Sequence, residues 1–144
     1  MKDKKYFIDK INDIYNGNYI PELNYAVTGW DFAPEYILKY YNILNKDEKQ
    51  LFRDTIKELF INGGQEWRYC LLYVCEKLNI KEAIPSMIEY GERYIQNNIK
   101  FDDKKMEPFQ IPPRVLLNFI KKIGSNDPQA IKFIKQAEAS NNYK

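Results

Sequence analysis

One stretch of the chain leaves little choice of fold. Gln65 to Leu78 carries Trp67, Tyr69, Cys70, Leu71, Leu72, Tyr73, Val74, Cys75 and Leu78. On a 3.6-residue spiral these side chains point almost all the way round. A helix that is apolar on nearly every side has to be enclosed by neighbours. The segment is therefore expected at the centre of a pile of other helices.

The rest of the chain repeats the same period. In Asp3 to Tyr15 the apolar stripe is Phe7, Ile8, Ile11, Ile14 and Tyr15, and Asn16-Gly17-Asn18 is a stop signal. Pro34 opens a second helix, which runs to Leu44 through Ile37, Tyr40 and Tyr41. Asn45-Lys46-Asp47-Glu48 has the form of a capping box with Asn in place of Ser or Thr, and a third helix follows to Ile61. The fifth is expected from Lys81 to Asn97, with Pro85 tolerated in its first turn. Pro113 starts a sixth helix, and Gly124 to Pro128 cap a seventh that passes through Ala130, Phe133 and Ala137. Residues 141–144 are expected to fray. No strand pair and no hairpin turn signal is found. The class expected is all-α, about seven helices in a single domain over residues 1–144, with an N-terminal helix at 3–15 and loops at 16–32 and 98–112.

Composition removes several kinds of chemistry. The chain has no histidine, so histidine-based nucleophilic dyads, metal sites and pH switches are not expected. Cys70 and Cys75 are the only cysteines. Five residues apart on a helix, they point about 140° away from each other and cannot bridge. They read as small core residues in a reducing compartment. Charges interrupt the first ten residues before any apolar run forms, and no apolar run reaches membrane-spanning length, so a cytosolic protein without a membrane partner is expected. The carboxylate pairs Asp47-Glu48 and Asp102-Asp103 sit in a helix's first turn and in a lysine-flanked loop, which suits solvated charges better than acid–base work. No phosphate loop, calcium loop or zinc-helix motif is present. The expectation is a protein that is not an enzyme and has no cofactor or metal.

Helices two to seven fall into three hairpins, at about 34–61, 66–97 and 113–139. Corresponding positions recur at unequal spacings, within the range of about 34 to 47 residues typical of helical-hairpin solenoids. Glu66-Trp67-Arg68-Tyr69-Cys70-Leu71, then Leu78, then Lys81-Glu82-Ala83-Ile84-Pro85-Ser86-Met87-Ile88, resembles one HEAT-like repeat. Such a repeat opens its first helix with an apolar-Arg step and its second with Ala-apolar-Pro. Trp67 stands where a smaller apolar residue is usual. The resemblance covers the middle hairpin well, the flanking two loosely and residues 1–32 not at all. It implies a short α-solenoid of stacked hairpins whose usual work is protein binding, with no catalytic residue to carry over.

In such a stack the second helices line one surface. With Phe52, Ile56, Leu59 and Phe60 inward, the third helix turns Lys49, Arg53 and Lys57 outward. With Ile84, Met87, Ile88 and Ile95 inward, the fifth turns Glu89, Tyr90 and Arg93 outward. Arg and Tyr are enriched where binding energy concentrates. Tyr25 and Trp30, in the irregular 16–32 loop, are further candidate anchors for a partner. Lys121, Lys122, Lys132 and Lys135 form a modest basic patch, but with a net charge of +2 a nucleic-acid partner is not the leading expectation. The functional expectation is a non-catalytic cytosolic domain that binds another protein, in its narrower form an immunity protein that neutralises a bacterial toxin. A HEAT-like nucleic-acid-binding module and an adaptor between larger proteins are the alternatives.

Overall fold

The computed structural model describes residues 2–96 and 111–143. The expected loop at 98–112 therefore lies outside the described residues up to residue 110, as does its Asp102-Asp103 pair. The chain divides into two compact units, Met1–Glu58 and Leu59–Lys144. Among the described residues there are seven α-helices and one small strand pair, so the all-α class holds.

In the first unit, α1 (Lys4–Asn16) starts where the Asp3 carboxylate accepts the Tyr6 N–H at 2.8 Å. It stops at Gly17, whose φ of 74° is left-handed; a side chain there would stand 2.8 Å from the Val27 carbonyl oxygen. The next residues correct the expectation of an unpaired loop. Tyr19–Ile20 (β1) and Tyr25–Ala26 (β2) pair antiparallel, with Tyr19 opposite Ala26. The turn between them runs through Pro21 and Asn24, and Asn24 adopts a φ of 49°. Pro favours the first corner and Asn tolerates the left-handed residue that closes the turn. Two-residue strands are too short to show alternation, so this pairing leaves no periodic signal in the sequence.

Helix α2 (Ala33–Asn42) has Pro34 in its first turn, as expected. Helix α3 (Lys46–Asn62) starts at the predicted capping box: the Glu48 N–H donates to Asn45 Oδ1 at 2.9 Å and the Asn45 N–H donates to Glu48 Oε1 at 3.0 Å. The unit's core is aromatic. Phe7 meets Phe52 edge-on at 5.2 Å and Tyr40 at 6.3 Å, with Ile11, Ile14, Ile37 and Ile56 buried alongside.

The second unit takes the end of α3, α4 (Gln65–Lys77), a 3-10 turn at Lys81–Ala83, α5 (Ile84–Ile95), α6 (Pro113–Ile123), α7 (Pro128–Ala139) and a last 3-10 turn at Asn141–Tyr143. Arg68 donates to the carbonyls of Phe60 (3.3 Å) and Ile61 (3.0 Å), occupying acceptors that the end of α3 leaves open. Helix α4 packs on α6, α5 packs on α6 and α7, and α6 packs on α7.

Three expectations need correcting here. Helix α4 is not enclosed on all sides: Leu71, Leu72, Val74 and Cys75 are buried, but Tyr69 is 43% exposed. Tyrosine and tryptophan each carry a polar atom at the far edge of the ring, so a helix face rich in them can sit at the surface. Helix α5 is rotated from its expected setting. Its buried stripe is Ile84, Met87, Tyr90, Gly91 and Tyr94, while Ile88 and Ile95 are half-buried. Residues 141–143, expected to fray, are packed down. Tyr143 is buried, its hydroxyl donates to the Gly91 carbonyl at 2.6 Å, and Asn142 Nδ2 donates to the Tyr94 carbonyl at 2.6 Å.

Candidate functional site

The segment that follows α1 builds a surface feature from local hydrogen bonds. Strand β2 delivers Tyr25, whose ring stacks on Tyr36 of α2 at 5.1 Å with the planes 8° apart. Lys39, one turn along α2 from Tyr36, places its Nζ 4.4 Å from the centre of the Tyr36 ring. Between β2 and α2 the chain turns through Thr28, Gly29, Trp30 and Asp31, closed by the Asp31 N–H donating to the Thr28 carbonyl at 3.1 Å.

Asp31 is the hub of this turn. Its Oδ2 accepts the Thr28 N–H (2.8 Å), the Thr28 hydroxyl (3.0 Å) and the Tyr25 hydroxyl (2.8 Å), and its Oδ1 lies 3.4 Å from the Tyr36 hydroxyl. These donors, the Thr28 N–H foremost, hold the carboxyl below its ordinary pKa. Its own bond to the Asp31 carboxylate pushes the Tyr25 hydroxyl up to about 12. Trp30 occupies the middle of the turn. Its N–H donates to the Thr28 hydroxyl at 3.3 Å, and its side chain is 99% exposed. Tyr19 and Phe32 are exposed nearby in sequence. The result is a large apolar ring held out into water on a backbone that is already ordered, so little loop entropy remains to be lost on binding.

The other sequence-predicted residues are spread across the two units. Lys49, Arg53 and Lys57 lie half-buried on α3, less outward than expected, and Lys49 Nζ sits 5.5 Å from the centre of the Tyr41 ring. Long basic side chains lay their stems along apolar surface, which accounts for their partial burial. On α5, Glu89 and Arg93 are exposed, but Tyr90 is not an outward anchor: it is 3% exposed and meets Tyr94 edge-on at 5.9 Å. The rotation of α5 explains this, since the tyrosines bring more apolar area into the core than Ile88 and Ile95 would. Glu89 lines a groove between α5 and α7 together with Ile88, Glu92, Gln129, Lys132 and Phe133.

Sequence reasoning missed Asp31 and Tyr36, which position the two predicted anchors, and Glu92, which shares the groove. The Thr28-to-Asp31 spacing was the available signal, because a hydroxyl and a carboxylate three residues apart can close a turn on each other. Cys70 and Cys75 form no disulfide, Cys75 is buried, and burial pushes its thiol up. Among the described residues no group of three or more Cys, Asp or Glu side chains is placed to hold a metal ion, and no helix is long and apolar enough to cross a membrane. Comparisons of the chain with protein-family models, curated proteins and solved structures return no match.

Proposed function

We propose that this protein is a non-catalytic, cytoplasmic protein-binding domain, and in the narrower form a bacterial immunity protein that neutralises a toxin by occupying it. The observation that carries the reading is Trp30, 99% exposed on a turn that Asp31 closes. An exposed tryptophan held in one place is the kind of group that anchors a protein interface, where one such residue is worth about 2 kcal/mol or more. The HEAT-like reading has a separate support in the second unit. Helix α4 lies on α6 and α5 on α7, a neighbour relation of stacked hairpins, although α4 and α5 are not themselves a closely packed pair. The nucleic-acid alternative has less to stand on, because Lys121 of the basic patch is paired with Glu138 at 3.0 Å.

The test is co-expression with the product of a toxin gene lying directly beside this one. The wild-type chain should restore growth. Trp30→Ala should restore it poorly and bind the toxin roughly thirtyfold more weakly, with an unchanged helical CD spectrum. Equal protection by Trp30→Ala would remove the turn as the anchor. A duplex-DNA titration showing tight binding that falls steeply with salt would replace the reading with the nucleic-acid one.

A further inference from the structure

The groove between α5 and α7 belongs to the second unit and is built independently of the Trp30 turn. The two helices come close at Gly91, where a Cβ would stand 2.5 Å from Phe133 Cζ. Pro85 and Ile88 give the groove apolar lining, with Phe133 buried beneath them, and its volume is about 350 Å³. It continues past Glu92 and Gln136 into a second hollow of about 620 Å³ that reaches Ile95 and Ser140. Both volumes are in the range of sites that hold a ligand or a few side chains.

The walls differ in chemistry. Helix α5 contributes Glu89 and Glu92, three residues apart and so side by side on one face. Among the described residues, Glu22, Glu48, Glu58, Glu76 and Glu138 are each held by a lysine, and no ion pair involves Glu89 or Glu92. Helix α7 contributes Lys132 and, two turns apart on one stripe, the amides of Gln129 and Gln136. Each amide offers donors and an acceptor, the pairing that a peptide backbone presents in return. Two carboxylates against the one ammonium of Lys132 leave the groove net negative, which beside apolar lining favours a cation attached to something apolar. A planar guanidinium can bridge two carboxylates, and a phosphate would be repelled.

We propose that the α5–α7 groove is a docking site for a peptide segment of a partner protein that carries an arginine flanked by apolar side chains. The arginine sits between Glu89 and Glu92, its apolar neighbour rests on Pro85 and Ile88, and Gln129 and Gln136 hold the peptide backbone. This surface is additional to the Trp30 turn and does not depend on it.

The probe is a fluorescein-labelled heptapeptide of alternating leucine and arginine, titrated against the full chain by fluorescence anisotropy at low salt. The control is the same peptide with glutamate in place of arginine. The arginine peptide should bind and the glutamate peptide should not. Backbone amide shifts on binding should concentrate in residues 85–96 and 129–140. The double variant Glu89→Gln with Glu92→Gln should lose about tenfold in affinity, the sum of two partly exposed charge contacts, while keeping the wild-type CD spectrum. Trp30→Ala should bind the peptide as wild type does, so failure of the anchor reading and failure of the groove are told apart. Absence of binding, equal binding of the glutamate peptide, undiminished affinity in the double variant, or shifts outside the groove would each overturn the proposal.

Discussion

Tyrosines do opposite work in the two units. Around Asp31 they lie at the surface, Tyr25 and Tyr36 stacked and aimed at one carboxylate, with Trp30 left in water. Around Gly91 they are buried: Tyr90, Tyr94 and Tyr143 meet edge-on, with the Tyr143 hydroxyl on the Gly91 carbonyl and the Tyr94 hydroxyl on the Ile111 carbonyl. The difference lies in the acceptor. A carboxylate keeps its charge most cheaply near water, so the rings that serve it stay outside. A backbone carbonyl is already inside, and a phenol that reaches it can be buried without an unpaired hydroxyl. The residue type is the same, yet one cluster builds a surface and the other builds a core.

That contrast can be broken from the buried side first. Leu71→Asp, in the face of α4 turned to the core, should cost about 4 kcal/mol or more by leaving an unpaired charge inside, and should abolish the cooperative urea transition. Tyr143→Ala should cost about 3 kcal/mol, since it empties the space beside Phe133 and Tyr94, and should lower the urea midpoint accordingly. Tyr143→Phe keeps the ring and loses only the bond to Gly91, so about 1 kcal/mol is expected. If this last change proved as costly as the alanine substitution, the hydroxyl and not the ring would be what holds the chain end.

On the exposed side the expected stability effects are smallest. Trp30→Ala should move the urea midpoint by no more than about 0.5 kcal/mol equivalent, because almost none of the indole is buried. A large loss of stability would mean that the ring packs in solution and is not free for a partner. The turn should also report pH. The Asp31 carboxyl is held below its ordinary value of 3.8, so its support of the turn is fully present above that value and is lost as pH falls through the lower folded-state pKa. Tyr25 is raised from 10.0 to about 12, so its contribution is present below 10.0 and is lost as pH rises through about 12. The Trp30 indole N–H resonance should hold its position between those limits and shift below the lower one. The same shift in Asp31→Asn would mean that another group titrates.

The helices were legible because their signals are local. Asp3, Asn45, Pro34, Pro113 and Pro128 mark helix starts by chemistry within a few residues, and each one proved to be a cap or a first-turn residue. The Trp30 anchor was legible as an aromatic in an irregular stretch, but its support by Asp31 was not. The C-terminal turn and the depth of Tyr90 were not legible either. The C-terminal turn rests on partners far along the chain: Tyr143 is tied to Gly91 and Asn142 to Tyr94, roughly fifty residues away. Gly91 was the one hint of this, since a glycine in mid-helix marks a close approach, here by Phe133 and Tyr143.

By itself the sequence determined that this chain is helical, where most of its helices begin and end, and that histidine chemistry is closed to it. Periodicity, caps and composition act over a few residues and need no fold to be read. Tertiary structure alone decided which tyrosines face water, that the last turn folds back onto α5, and that Glu89 and Glu92 stand over an apolar-lined groove. A helix can be rotated about its axis while keeping its own hydrogen bonds, so the face it buries is chosen by its neighbours and not by its own pattern.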